Sequence, residues 1–263
     1  MTLHEGYFCA PQVFYFEPHK LWYLVGHVKV TGGTDLAPVY STNPDIENVY
    51  GWSAPELIRT GKTRDEFWID FWVICDDRNA HFFYSNQKGA VLRMQCPIET
   101  FPAGLAEAAE EEAFVISGQD EKGYWRMFEA QHVYRVKKTN TYFMLAECAY
   151  RRGEGKNPYP LDSRNRFLIG LEADRLEGPW RRIEREENEY WAQASSLRRE
   201  DGSRCRYTQV SHPEIIRAGY NQRLEIEDLN AVQMIFQSFD ASDTPPDYHY
   251  DRLPWELAIM KNY

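Results

Sequence analysis

Apolar and polar positions along this chain fall into short runs separated by polar turns. Gln12 to Phe16 (QVFYF) is followed by Glu17-Pro18-His19-Lys20 and then by Leu21 to Val25 (LWYLV). Asp70 to Cys75 (DFWVIC) breaks at Asp76-Asp77-Arg78-Asn79, and Ala80 to Ser85 (AHFFYS) follows. A further turn, Asn86-Gln87-Lys88-Gly89, leads into Ala90 to Met94 (AVLRM). His132 to Val136 (HVYRV) breaks at Lys137-Lys138-Thr139-Asn140 before Thr141 to Leu145 (TYFML). Late in the chain, Glu214 to Arg217 (EIIR) precedes a break near Gly219-Tyr220-Asn221, and Val232 to Gln237 (VQMIFQ) comes after it. Short runs rich in β-branched and aromatic residues, bounded by turn formers, predict antiparallel strands. Helical periodicity is scarce. Its best candidate is the short acidic stretch Leu105 to Ala113 (LAEAAEEEA).

One unit therefore recurs: apolar strand, polar turn, aromatic strand, longer excursion. Repeated antiparallel units fit a β-propeller better than a sandwich. No Ser/Gly-rich linker divides the chain, so residues 1–263 are expected to form a single domain. Arg151 to Ser163 and Asp240 to Tyr250 are expected to be long surface loops.

Composition narrows the function classes. Eight Trp, seventeen Tyr and fourteen Phe suit either an all-β core or a surface that stacks on flat ligands. A net charge of −10 argues against a nucleic-acid partner. No apolar run approaches the ~20 residues of a membrane span, and the first residues show no secretory signal pattern. Cys9, Cys75, Cys96, Cys148 and Cys205 match no zinc spacing, and an odd count predicts free thiols.

Four features raise the question of a site. Asp70 is a lone carboxylate in an otherwise apolar run, and burying an unpaired charge is costly. Glu129, in MFEAQHVYRV, repeats the pattern in another unit. His212 precedes a further strand, and Tyr250-Asp251-Arg252-Leu253-Pro254-Trp255 is a polar–aromatic loop near the C-terminus. Acids leading into strands of different repeats can share one pocket, where like charges raise each other's pKa and keep one carboxyl protonated as a general acid. The same spacing also fits acids that merely accept hydrogen bonds from turns. Other chemistries find little support. Thr31-Gly32-Gly33-Thr34 lacks the lysine and helix of a phosphate loop. Ser211 beside His212 is no triad, because strand neighbours are expected to face opposite ways.

Taken together and in order, GYFCAPQVFYFEPHKLWYLV, YSTNPDIENVYGWSAP, WIDFWVICDD, MFEAQHVYRV, VSHPEIIRAGYNQRL and YDRLPWELAIM resemble glycoside hydrolase family 62 over nearly all of the chain. Members are α-L-arabinofuranosidases that remove arabinose side groups from xylan. The resemblance implies a five-bladed β-propeller, inversion at the anomeric carbon, a substrate such as arabinoxylan or a related polysaccharide, a secreted location and a monomer. It matches Glu129 to the general acid and Asp70 to the third carboxylate, which orients that acid and tunes its pKa. His212 matches a histidine near a central calcium ion, reached partly through waters, and Tyr250 a tyrosine lining the sugar subsites.

Departures from the family pattern shape the remaining expectations. The family's catalytic base lies on the first blade, upstream of GYFCAPQ, where only Met1 to Glu5 stand here. No residue matches it. The first blade is expected to be incomplete and hydrolysis impaired by the ~10²–10⁴-fold that proton-transfer assistance is worth. Two alternatives stay open: a carbohydrate-binding propeller without turnover, and a sugar-cleaving propeller of the related family 43.

Overall fold

The computed structural model describes residues 3–30, 36–58, 68–86, 88–120, 123–151, 161–183, 190–243 and 253–261. Among the described residues, seventeen strands form four mainly antiparallel sheets that follow one another along the chain. The first holds β1 (Leu3–Phe16), β2 (Leu21–Val30), β3 (Leu36–Asn43) and β4 (Glu56–Leu57). The second holds β5 (Ile69–Cys75), β6 (Asn79–Ser85), β7 (Ala90–Pro97) and β8 (Glu111–Val115). In the third, β10 (Gly123–Val136), β11 (Thr141–Arg151), β12 (Leu161–Ala173) and β13 (Arg181–Arg182) lie in order, with β9 (Ser117–Asp120) also paired to β10. The fourth joins β14 (Ser211–Ile215), β16 (Gln233–Ser238) and β17 (Glu256–Lys261). The short β15 (Glu225–Ile226) pairs in parallel with β10.

The architecture is all-β and propeller-like, as the turn-punctuated pattern predicts, but with four blades among the described residues rather than five. The described strands are used up by four sheets. The expectation of an incomplete first blade also fails: β1 opens a full four-stranded sheet. The predicted helix over Leu105 to Ala113 is absent too. A 3₁₀ turn at Ala103–Ala106 covers its start and β8 takes its end. Leu105 is buried but no apolar stripe continues from it, whereas Val91 in β7 pairs with Phe114 and draws the segment into the sheet. Of the loop expected over Arg151 to Ser163, its first residue belongs to β11 and its last three to β12.

Each blade begins with its innermost strand: β1 and β2 pack on β5, β5 on β10, and β10 on β14. Between these inner strands lies a core dominated by Phe14, Phe16, Phe71, Phe82, Tyr84 and Tyr134, all nearly inaccessible. Side chains stitch the strands to one another. Gln12 pairs its amide with the Val73 backbone, donating to the carbonyl at 2.8 Å and accepting from the N–H at 2.7 Å. Trp72 Nε1–H donates to Val133 O at 2.9 Å.

A belt of chain closes one end. Tyr15 N–H donates to Tyr220 O (2.7 Å), Cys75 N–H to Gln222 O (2.8 Å) and Arg135 N–H to Leu224 O (3.3 Å). The same segment thus meets three inner strands in turn. Five residues before each contact, the strand carries a bulge whose first extra residue is in the left-handed region: Ala10 (φ 46°), Asp70 (φ 57°) and Ala130 (φ 55°). The fourth inner strand repeats the device at His212 (φ 43°).

Candidate active site

The four bulges sit at one height, and their side chains meet. A bulge adds a residue to one strand and interrupts the in–out alternation. Side chains that a regular strand would bury in the sheet or turn outward are thereby directed to the centre. In β5 the bulged residue is Asp70 itself; Asp tolerates left-handed backbone better than most residues. Its Oδ2 accepts from Ala130 N–H at 2.8 Å, and its carbonyl accepts from the Gln131 side-chain amide. The bulge of β10 thus clamps the bulge of β5. In β14 the alternation expected to separate Ser211 from His212 is broken, and Ser211 Oγ lies 3.1 Å from His212 Nδ1.

Asp70, Glu129 and His212 converge, each with one donor atom within 4.8 Å of the others. His212 Nε2 lies 3.8 Å from Glu129 Oε1 and 3.9 Å from Asp70 Oδ2. Asp70 and Glu129 are 4% and 5% exposed, whereas a quarter of the His212 side chain reaches solvent. The three residues singled out in the sequence are thus brought together. Tyr250 lies outside the described residues.

Two further residues complete the centre, and the sequence reading missed both. Glu147 on β11 pairs directly across from Glu129 on β10. Two acids opposite each other repel, and Arg166 from β12 relieves it. Its Nη1 donates to Glu129 Oε1 at 2.6 Å, to Glu147 Oε1 at 2.5 Å and to Ser211 Oγ at 3.2 Å. The guanidinium carbon lies 4.8 Å from the Phe128 ring centre and 5.6 Å from that of Trp255. Glu147 also accepts from the His212 backbone N–H at 2.7 Å and from Ser211 Oγ at 3.1 Å. A lone acid in TYFMLAECAY is the same signal that marked Asp70.

These surroundings set the protonation states. Burial raises the Glu129 carboxyl to about 7; Arg166 and His212 oppose the rise, and the Asp70 and Glu147 charges add to it. Glu147 is equally buried, yet Arg166, His212 and its hydrogen bonds outweigh burial and hold it below the ordinary range. For His212, burial would lower the pKa, but Glu147, Glu129 and Asp70 together raise it. On the first blade, Cys9 Sγ contacts His27 Nε2. Burial lowers the His27 pKa, against the pull of Asp70. The arrangement is therefore one protonated carboxyl beside a charged one, the state suited to proton donation near neutral pH.

The donors do not suit the calcium ion expected beside His212. Ca²⁺ takes roughly six to eight oxygen ligands. Among the described residues the cluster offers two carboxylates and an imidazole nitrogen. Glu129 Oε1 is already engaged by Arg166, and His212 Nδ1 faces Ser211 Oγ at 3.1 Å. A second cluster, Asp76, His81 and Glu177, is closed for another reason. Arg93 Nη1 donates to His81 Nδ1 at 3.1 Å, which puts the proton on Nε2, facing Asp76 Oδ2 at 2.9 Å.

A cavity of about 360 Å³ is lined by Arg166, Tyr150, Phe167, Gln193 and Tyr207, and touches the centre through Arg166 alone. A larger one, about 810 Å³, lies between Trp191, Leu197, Phe236 and Met260; Asp70, Glu129 and Glu147 line neither.

Comparison with known proteins bears on this geometry. The sequence pattern of Glycosyl hydrolase family 62 matches residues 4–261. Alpha-L-arabinofuranosidase C of Cellvibrio japonicus (strain Ueda107) is 28% identical over 254 residues, which cover 96% of this chain but 35% of that protein. The chain thus spans about a third of that relative's length. The catalytic domain of a Coprinopsis cinerea family 62 α-L-arabinofuranosidase superposes with a TM-score of 0.73 at 30% identity, covering 97% of this chain and 73% of the other. A family 62 hydrolase solved in complex with xylotriose gives a TM-score of 0.74 at 29% identity, with 97% and 74% covered.

Proposed function

The chain belongs to glycosyl hydrolase family 62, and from that premise we propose that it is an α-L-arabinofuranosidase, removing arabinofuranosyl side groups from arabinoxylan or a related polysaccharide. The observation that carries the reading is a buried carboxyl, Glu129, raised to about 7 beside Asp70. Glu129 is the general acid. Its proton passes to the glycosidic oxygen as the bond to the anomeric carbon breaks, and the carboxylate left behind falls beside Arg166 and His212.

Asp70 positions that acid. Inverting glycosidases separate acid and base by roughly 6.5–9.5 Å to admit a water. The nearest oxygens of Asp70 and Glu129 lie within 4.8 Å of each other, the spacing of neighbours that act on one another's charge. Asp70 raises the Glu129 pKa and, through Ala130 N–H, fixes the bulge from which Glu129 projects. In an inverting reaction a separate base takes a proton from water attacking the opposite face of the sugar. The resemblance puts that base before Gly6, and no described residue is assigned to it. A polymeric substrate supports a location outside the cell.

The test is arabinose release from arabinoxylan by the protein and by Glu129→Gln. Release at least ~100-fold above the variant is expected, the lower range for a positioned acid. Release no greater than the variant's overturns the catalytic reading; binding of xylo-oligosaccharides in that case would indicate a carbohydrate-binding propeller.

A further inference from the structure

We propose that Arg166 is the resident cation of this centre: its guanidinium, gripped by Glu147, positions Glu129 where a metal ion would otherwise sit, and the site neither needs nor binds calcium. The geometry is the ground for it. One guanidinium nitrogen reaches Glu129 at 2.6 Å, Glu147 at 2.5 Å and Ser211 at 3.2 Å, and the Arg166 side chain is fully buried. Glu147 is committed on both oxygens, to Arg166 and Ser211 on one and to the His212 backbone on the other. The Phe128 ring flanks the guanidinium, the kind of face on which a desolvated cation is stabilised. A divalent ion seated between Glu129 and Glu147 would have to displace a paired, buried guanidinium, which leaves a buried charge uncompensated.

Arg166 is a positioning residue. Glu147 fixes Arg166 from the second strand of the blade, and Arg166 fixes the Glu129 oxygen on the first. The catalytic half of the proposal rests on the general-acid reading of Glu129; the ion-binding half does not.

The experiment has two arms on the full chain. Calcium chloride and, separately, EDTA are added to the wild type and to Arg166→Met while thermal unfolding and binding heat are recorded. The wild type is expected to show no binding heat and an unchanged Tm. In Arg166→Met the freed carboxylates are expected to accept the ion, raising Tm by at least about 5 °C at ~100-fold excess over Kd. Stoichiometric calcium binding by the wild type, or a Tm that EDTA lowers, overturns the proposal even if the variant does not fold. In the second arm, Arg166→Met and Arg166→Lys are assayed on an arabinoxylan oligosaccharide and on an aryl arabinofuranoside whose leaving group needs no protonation. The Met variant is expected to lose at least ~10-fold more on the oligosaccharide than on the aryl substrate, with partial recovery in the Lys variant. Equal losses on both substrates make Arg166 merely structural. A wild type that cleaves neither substrate refutes the proposed function, and the calcium arm still decides the cation.

Discussion

Replacing Glu129 by Gln tests the buried acid without any substrate. The Glu129 pKa rises from 4.5 to about 7 in the folded protein, chiefly through burial. At ~1.4 kcal/mol per pKa unit, the ionised carboxylate costs the fold roughly 3 kcal/mol. The sign follows from linkage. Below pH 4.5 the group is protonated in both folded and unfolded chains and costs nothing. Between 4.5 and about 7 only the unfolded chain ionises, so stability falls as pH rises. Above about 7 the penalty is complete and constant. Gln is nearly isosteric, still accepts from Arg166, and does not titrate. Its stability relative to the wild type should therefore climb by about 3 kcal/mol between pH 4.5 and pH 8, mostly before pH 7. Urea unfolding of both proteins at four pH values, with m checked for constancy, measures this directly. Two curves that run parallel across the range would refute a raised carboxyl at position 129, and the general-acid reading with it.

Other consequences follow from the same cluster. Asp70→Asn keeps the acceptor for Ala130 N–H but removes a charge that raises the Glu129 pKa, so the alkaline limb of kcat should move to lower pH; an unmoved limb contradicts the field argument. Glu147→Gln leaves Arg166 with a weakened partner and should cost about 3–5 kcal/mol in denaturant titrations at neutral pH. Because the Glu147 pKa is lowered, its stabilisation is present above the unfolded value near 4.5 and fades as pH falls through the folded one; a penalty that persists unchanged at acid pH would exclude an ionised Glu147. Ala10→Gly should be neutral or stabilising by up to ~1 kcal/mol, because Ala10 holds φ 46° where a Cβ is strained, whereas Ala146→Gly inside a regular strand should cost about 1 kcal/mol. Chemical denaturation separates the two, and equal losses would deny the strain.

The legible part of this molecule was the part that follows from local pattern. Turn-bounded apolar runs found inner strands such as DFWVIC and HVYRV and their hairpin partners, because hairpin pairing is set by neighbours in sequence. Lone acids in apolar runs found Asp70 and Glu129, since an uncompensated buried charge is costly enough to need a reason. Glu147 carried the same mark and went unread, and its partner Arg166 lies nineteen residues away in a strand with no clean alternation. Blade number depends on how many strands each sheet recruits, and β15 joining β10 from ninety residues away is a contact no local window contains. The bulges were half legible. Pro11 and Pro213 stand in the bulges of β1 and β14, and proline inside a strand signals an irregular ladder. Ala130 gives no such sign.

The belt and the bulges together explain why a site forms at this level. Tyr15, Cys75 and Arg135 bond to alternate residues of one segment, Tyr220, Gln222 and Leu224, so three inner strands are held in a common register. Counting back five residues from each anchor gives Ala10, Asp70 and Ala130; His212 is six residues before Ala218, whose N–H donates to Glu225 O just beyond the same segment. A strand rises ~3.3 Å per residue, so equal counts in these three strands mean equal heights, about 16 Å from the belt. At that height every inner strand breaks its alternation by one residue, and the break decides which side chain faces inward. Left-handed backbone at Ala10, Asp70, Ala130 and His212 costs on the order of 1–3 kcal/mol each. An ordinary strand at any of the four positions would avoid that cost and would return Glu129 or His212 to the sheet face. The strain is therefore tied to convergence: Ala130 N–H can reach Asp70 Oδ2, and Ser211 can lie beside His212, only because both strands are bulged at the same level.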